Sequence, residues 1–372
     1  MKKLLVLTAF LLTVIPSASA AISPKLMVQL AQVDAAATNV ISSTSQIAVI
    51  GNREKNGFIQ FLNGPTVELT AGVESFVSSA TTDSAGNFYV VGASSNPIVG
   101  TLPPISGVLN PDNVVSDPVS SNKSDAINLI YWKLDSAGTL IETQSMAMPS
   151  AVIPNSIIVD ANLITIAGTA FANPGNNGFI VNWNSKPTFL GKSATQIHAI
   201  TKLQDGTFII VGQSADKLLN TTLKGKIDGF LAKYVDGKFT TVQRSSEAKS
   251  NRAWRSTTSN LLLGGNVNSL ASITKFNANF QPTWTDRYPA SSSALTATSG
   301  KFNYGAFVST GAIKALPTWK TWKKKNAILV LTFDAKGLIT AANYINATQL
   351  NGFTANSTYG PIVLAGGFLY RT

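Results

Sequence analysis

The densest cluster of recognition chemistry in this chain is the stretch Lys314-Ala315-Leu316-Pro317-Thr318-Trp319-Lys320-Thr321-Trp322-Lys323-Lys324-Lys325, five lysines interleaved with two tryptophans. Indole rings stack on sugars or bases, ammonium groups neutralise a polyanion, and a cation can also lie on the indole face. The competing reading of the same residues is a solvated loop whose tryptophans pack beneath a neighbouring sheet. A second, smaller cluster is formed by Lys249, Arg252, Trp254 and Arg255. The expected binding set is therefore Lys314, Trp319, Lys320, Trp322, Lys323, Lys324 and Lys325, with Arg252, Trp254 and Arg255.

Catalytic chemistry has little to work with. His198 is the only histidine and cysteine is absent, so a transition-metal centre of the usual nitrogen and sulfur ligands has no ligand set. No metal ion or other cofactor is expected. Serine nucleophiles lack the Gly-x-Ser-x-Gly elbow, and a Ser/His/Asp set would have to use His198. Of the 18 carboxylates, Asp83, Asp135, Asp205, Asp236 and Asp334 belong to turns. Asp112, Asp117, Asp125, Asp228, Asp286, Glu54, Glu68, Glu74, Glu142 and Glu247 are scattered singly. Glycoside cleavage needs two carboxylates facing each other across the sugar, which spacing alone neither shows nor excludes. Asp112 and Asp117 lack the spacing of an EF-hand calcium loop.

The elements that must position these residues form a repeat. Seven apolar runs end in glycine: Ile47 to Gly51, Phe88 to Gly92, Ile164 to Gly168, Phe208 to Gly212, Leu261 to Gly265, Ala306 to Gly311 and Ile362 to Gly366. Each is followed by a second apolar run, starting at Gly57, Ala126, Gly178, Gly229, Leu270, Ala327 and Gly367. The anchor glycines are 41, 76, 44, 53, 46 and 55 positions apart, near the span of a four-stranded propeller blade except where Ala93 to Asp125 is inserted. Asp83-Ser84-Ala85-Gly86 and Asp135-Ser136-Ala137-Gly138 supply tight turns, because Asp bonds back to nearby N–H groups and Gly accepts positive φ. His198 falls in Thr195 to Thr201, which reads as the innermost strand of its unit.

The expected fold is an all-β, seven-bladed β-propeller, with six or eight blades as alternatives. The last unit is one strand short, and Pro24 to Leu30 is a strand-like segment without a unit of its own. If that N-terminal strand completes the last blade, the ring closes without an exposed edge. Loops joining second to third strands and loops joining blades then share one face, where Ala93 to Asp125, Gln213 to Ile227, the Lys/Trp loop and the Arg244 to Arg252 connection meet.

Thr81-Thr82-Asp83-Ser84-Ala85-Gly86-Asn87-Phe88-Tyr89-Val90-Val91-Gly92 and Asp228-Gly229-Phe230-Leu231-Ala232-Lys233-Tyr234 resemble the two halves of a repeat of bacterial exported β-propellers, in which a D-x-x-G-N-x-Y-V-x-G strand pair alternates with a D-A-F-V-x-K-like strand. Ala126 to Gly138 and Lys202 to Gly212 echo these halves, whereas the units at Asn162, Ser259 and Thr358 lack the Asp-x-x-Gly-Asn turn. The resemblance implies the propeller fold and an exported or surface setting. It carries no catalytic residue set.

Residues 1–20 read as a secretory signal, with Lys2 and Lys3, an apolar stretch from Leu4 to Ile15 and the small-residue pattern Ala18-Ser19-Ala20. The propeller is then a single domain over 21–372, secreted or held in the cell envelope. No later segment approaches the about 20 apolar residues of a spanning helix, so no transmembrane segment is expected. A formal charge of +11 attracts polyanions. Export turns that expectation toward an acidic polysaccharide or a cell-surface protein and away from intracellular nucleic acid. The chain is expected to act as a monomeric, non-enzymatic binding or scaffold protein; the alternative is a polysaccharide hydrolase or lyase working from the central channel mouth.

Overall fold

The computed structural model describes residues 22–95, 126–161, 163–313 and 322–372. Within them the chain forms seven sheets of four strands set around a central axis, the sixth sheet carrying one extra strand. Each blade is laid down from the axis outward. The inner strands are Ala37–Ser42, Ser75–Thr82, Ala151–Asp160, Thr195–Lys202, Arg252–Thr257, Leu295–Ser299 and Gly352–Asn356. Each touches the next, and Gly352–Asn356 returns to Ala37–Ser42, which closes the ring.

The apolar runs of the sequence occupy the second and third strands. Phe88–Ser94 is buried along its whole length and Ala327–Phe333 likewise, as continuous apolar strands are when a sheet is covered on both faces. Outer strands such as Leu140–Ala147 are exposed for most of their length. The described apolar core falls into seven clusters, one at each junction between neighbouring blades. Between blades one and two, for example, Ile50 and Phe61 meet Val77, Phe88 and Trp132. No blade buries its apolar surface by itself, the condition that defines a repeat architecture.

Ring closure follows the expected plan with one refinement. Val28–Gln32 pairs antiparallel with Phe368–Arg371 as the outer strand of blade seven. Lys25–Leu26 instead adds in parallel to Ile339–Ile345 of blade six. Met27 sits between these segments, buried against Val308, Ile328 and Val363. The N-terminal segment thus joins the last two blades, rather than completing only the last one.

Five of the seven anchor glycines have a common structural reason. Gly51, Gly92, Gly168, Gly212 and Gly265 each face an inner strand where the register slips by one residue. At Gly212 an added Cβ would lie 2.0 Å from the Gln196 carbonyl oxygen, and at Gly92 1.8 Å from that of Phe76. Only glycine admits so close an approach of the bulged backbone. Gly311 and Gly366 fit the sequence pattern but not this role. Gly311 lies beyond the end of Phe302–Ser309, and Gly366 turns the chain at φ 56° between two strands.

The residue left over in each bulge is Thr38, Ser78, Asn155, His198 and Arg255 in blades one to five. Side chains stitch these bulges from blade to blade. Asn52 of blade one donates to Val77 O (2.9 Å) and accepts from Val77 N (2.7 Å). Ser78 of blade two donates to Pro154 O, and Asn155 of blade three donates to Ile197 O at 2.6 Å. Backbone groups that a bulge leaves unpaired are thereby satisfied across the blade junction.

Candidate functional site

The loops expected to share one face do so wherever they are described. Lys226 N donates to Ser250 O, so the Gln213 to Ile227 loop lies against the connection between blades four and five. Lys324 bonds Asn346 Oδ1 at 2.9 Å in the connection from blade six to seven. By the same alternation of strand direction, the five turn aspartates all lie on the opposite face. The carboxylates of Asp83, Asp135, Asp205 and Asp334 accept local backbone N–H groups, as Asp83 does from Ala85 and Asn87 and Asp334 from Lys336 and Leu338. Lysines and arginines of the loop face are thus separated from those acids by the thickness of the disc.

The expected binding residues scatter. Lys314, Trp319 and Lys320 lie outside the described residues, as do residues 96–125 of the insertion with Asp112 and Asp117. Lys323, Lys324 and Lys325 are exposed on the loop face, and Lys324 Nζ stands 4.1 Å from the centre of the Tyr344 ring.

Both described tryptophans of the set correct the expectation that they stack on a ligand. Trp322 is buried, donates to Ser309 Oγ (3.2 Å) and meets the Tyr344 ring at 5.2 Å. Trp254 is fully buried between blades four and five and meets Phe276 edge-on at 5.9 Å. Their rings belong to the blade junctions because a large apolar side chain on the covered face of a strand is removed from water.

Arginine, not tryptophan, builds the loop-face site. Arg244, Arg252 and Arg287 line a groove of about 330 Å³ along the outer side of blades four and five, with Ser245 and Ser246 at its loop-face end and Phe276, Phe280 and Pro282 toward the opposite face. Arg244 lies 3.6 Å from Asp228, a buried carboxylate that also accepts from Lys224 N, Gly225 N and Ser246 Oγ. Glu247 faces both Arg287 and, at 4.0 Å, Arg252. Arg252 is 8% exposed, lies over Trp254 at 4.6 Å, and its Nε has no acceptor. Burial first, and then the positive charge of Arg287, lower the Arg252 pKa to about 10. Asp216, Asp228 and Glu247 balance the three guanidinium charges, and what the groove leaves open is the Arg252 Nε donor.

The second concavity is the mouth of the central channel, about 330 Å³, lined by the bulge residues Asn155, His198 and Arg255 and by Ser293, Leu350 and Asn351. Arg255 Nη1 lies 2.9 Å from His198 Nε2. Arginine can only donate, so His198 accepts as a neutral ring. Burial foremost, then the charge of Arg255, lower the His198 pKa to about 3, against a weaker upward pull from the Gln213 side chain. Among the described residues lining this mouth there is no carboxylate. The sequence placed His198 on an inner strand correctly but left Asn155, Ser293 and Asn351 unmarked. A signal existed: Thr38, Ser78, Asn155, His198 and Arg255 stand 13, 14, 13, 14 and 10 residues before their anchor glycines.

Among the described residues, no group of three metal-ligating side chains comes together, and no helix is long and apolar enough to cross a membrane.

No family model matches the chain, and no curated protein matches it. Solved structures do. A chain of a mitotic checkpoint complex is similar at 11% identity and a TM-score of 0.54, covering 100% of this chain and 98% of that one. The WD40 domain of Toxoplasma gondii coronin is similar at 9% identity and a TM-score of 0.51, covering 94% and 87%. At such identities the likeness is one of fold, and propellers of one fold host unrelated activities.

Proposed function

We propose that this protein is an exported, non-enzymatic binding propeller that holds an acidic polysaccharide on its loop face. The observation that supports this most is the groove along blades four and five, where Arg252 presents a buried Nε without an acceptor beside Arg244 and Arg287. Guanidinium groups bind carboxylate or sulfate by paired N–H donors. The hydroxyls of Ser245, Ser246 and Thr285 in the same groove suit the hydroxyls of a sugar chain. Lys323, Lys324 and Lys325 extend the positive surface toward blade six. The alternative is a polysaccharide hydrolase or lyase, which turnover of a polyuronate abolished by one Asp or Glu substitution would favour.

Retention on immobilised polyuronate is the test. The wild-type chain should be held at low salt and released as ionic strength rises, because exposed charge pairs are screened beyond about 8 Å at physiological salt. Replacing Lys323, Lys324 and Lys325 by Gln should weaken binding several-fold, and Arg287→Gln should do so independently. Retention equal in all three proteins, or equal on an uncharged glucan, would refute the assignment. Retention only on an acidic protein would replace the polysaccharide with a surface protein as the partner.

A further inference from the structure

The channel mouth is built differently from the rim groove. Its charged group, Arg255, is supplied by a bulge, so the backbone itself turns this side chain out of the sheet toward the axis. Two more bulges in the adjoining blades supply His198 and Asn155. The connections into blades six and seven supply Ser293 and Leu350-Asn351. Five consecutive blades therefore converge on one small cavity.

Its chemistry is asymmetric. In the groove each arginine has a carboxylate nearby, whereas among the described residues Arg255 is hydrogen-bonded to the neutral His198 ring. Arg255 keeps an exposed surface toward the channel, and desolvation by the surrounding walls lowers its pKa. A guanidinium has five N–H donors, and His198 engages one nitrogen. Around it stand polar groups without charge. Asn351 accepts from Gly366 N through Oδ1, which leaves its amide nitrogen as a donor. Asn155 donates to Ile197 O, which leaves its Oδ1 as an acceptor. Leu295 and Leu350 add an apolar wall.

We propose that the mouth of the central channel is a subsite for one carboxylate-bearing sugar unit, with Arg255 holding the carboxylate, Asn155, Ser293 and Asn351 the hydroxyls, and Leu295 and Leu350 the C–H face of the ring. The subsite rests on the polysaccharide reading above and gives it a chemical identity, a hexuronate as against a sulfated or phosphorylated sugar. It also gives it a geometry: the channel takes a single unit, such as a chain end or a side branch, while the rim holds the polymer. His198 acts as a positioning residue that fixes the guanidinium and, being neutral, adds no second charge.

Ligand-observed NMR on the full chain, with glucuronate and galacturonate as probes and glucose, sulfate and phosphate as controls, tests this. Saturable hexuronate binding should weaken about 10-fold or more in Arg255→Gln, the loss expected for a charge-assisted pair. Arg255→Lys should recover part of it, and Ser293→Ala should weaken it a few-fold. Polyuronate retention should fall less in Arg255→Gln than in Arg287→Gln, and the thermal midpoint of Arg255→Gln should stay at the wild-type value. Wild-type protein held on polyuronate but without saturable hexuronate binding would overturn the subsite and leave the rim reading intact. Hexuronate binding without polyuronate retention would do the reverse. Binding indifferent to Arg255→Gln, or sulfate and phosphate binding as tightly as the hexuronates, would overturn the assignment of Arg255 to a carboxylate.

Discussion

His198 and Arg255 show how much one residue's meaning depends on its neighbour. In the sequence they are 57 positions apart, and the bulges of blades four and five bring their side chains to within 2.9 Å. A neutral His198 has a measurable consequence. Its folded pKa of about 3 lies below the ordinary 6.5, so between those values the unfolded chain binds the extra proton. The contribution of His198 to stability must then rise with pH across that window and fall as pH is lowered through it, by up to about 1.4 kcal/mol per unit, while Asp286, raised by burial, contributes in the opposite sense. Urea melts from pH 6.5 to 4.5 should show this slope. Over that range Asp34, Asp83, Asp135, Asp205 and Asp216, all lowered from 3.8, stay ionised. His198→Gln should flatten the slope; identical slopes in both proteins would contradict a neutral, shielded imidazole. The tryptophans teach the converse lesson. Trp254 and Arg255 are adjacent in sequence, yet one lies in the core between blades and the other lines the channel mouth, because Arg255 is the extra residue of the bulge and escapes the ordinary alternation of the strand.

At the scale of the element, the informative unit is a glycine together with the bulge it faces. Sequence periodicity located all seven second strands, and the aspartate turns marked hairpins that the hydrogen bonds of Asp83, Asp135 and Asp334 now account for. Periodicity treated the seven glycines alike, although only five face a bulge. Substitution separates the two kinds. Gly212→Ala drives a Cβ to 2.0 Å from the Gln196 carbonyl and should cost about 3 kcal/mol, at the upper end for overpacking. Gly206→Ala meets nothing within 4 Å and has only its φ of 87° to oppose it, so about 1 kcal/mol is expected. Denaturant midpoints of the two variants check the order, and a reversal would remove close approach as the reason for the anchor glycine. Gly212→Ala should also weaken hexuronate binding, since the bulge it disturbs carries His198.

For the whole molecule, closure of the ring is the relevant quantity. Seven junction clusters of similar make-up mean that stability is shared around the circle, and the junction between blades seven and one, where Val33, Ala37 and Ile47 meet Ile362, Leu364 and Leu369, keeps it shut. Removing residues 22–32 would strip the outer strand from blade seven and the parallel strand from blade six. Phe368–Arg371 then becomes an open edge, and the truncated chain should melt at lower temperature and associate with concentration. Sedimentation of an unchanged monomer with an unchanged midpoint would show that closure does not depend on this segment.

Local rules were enough to establish the repeat, the strand order within a unit and the contribution of the chain's beginning to its last blade. Apolar period, turn residues and spacing act within one unit or between adjacent ones, and the sequence displays them directly. Which side chains share the channel mouth was settled only in three dimensions. Asn155, His198, Arg255, Ser293 and Asn351 come from five blades, and their meeting depends on one-residue slips in register that leave hydrophobic periodicity almost untouched. The fate of the tryptophans was decided there too, because burial depends on which neighbouring blade covers a strand face, and that is a property of the closed ring.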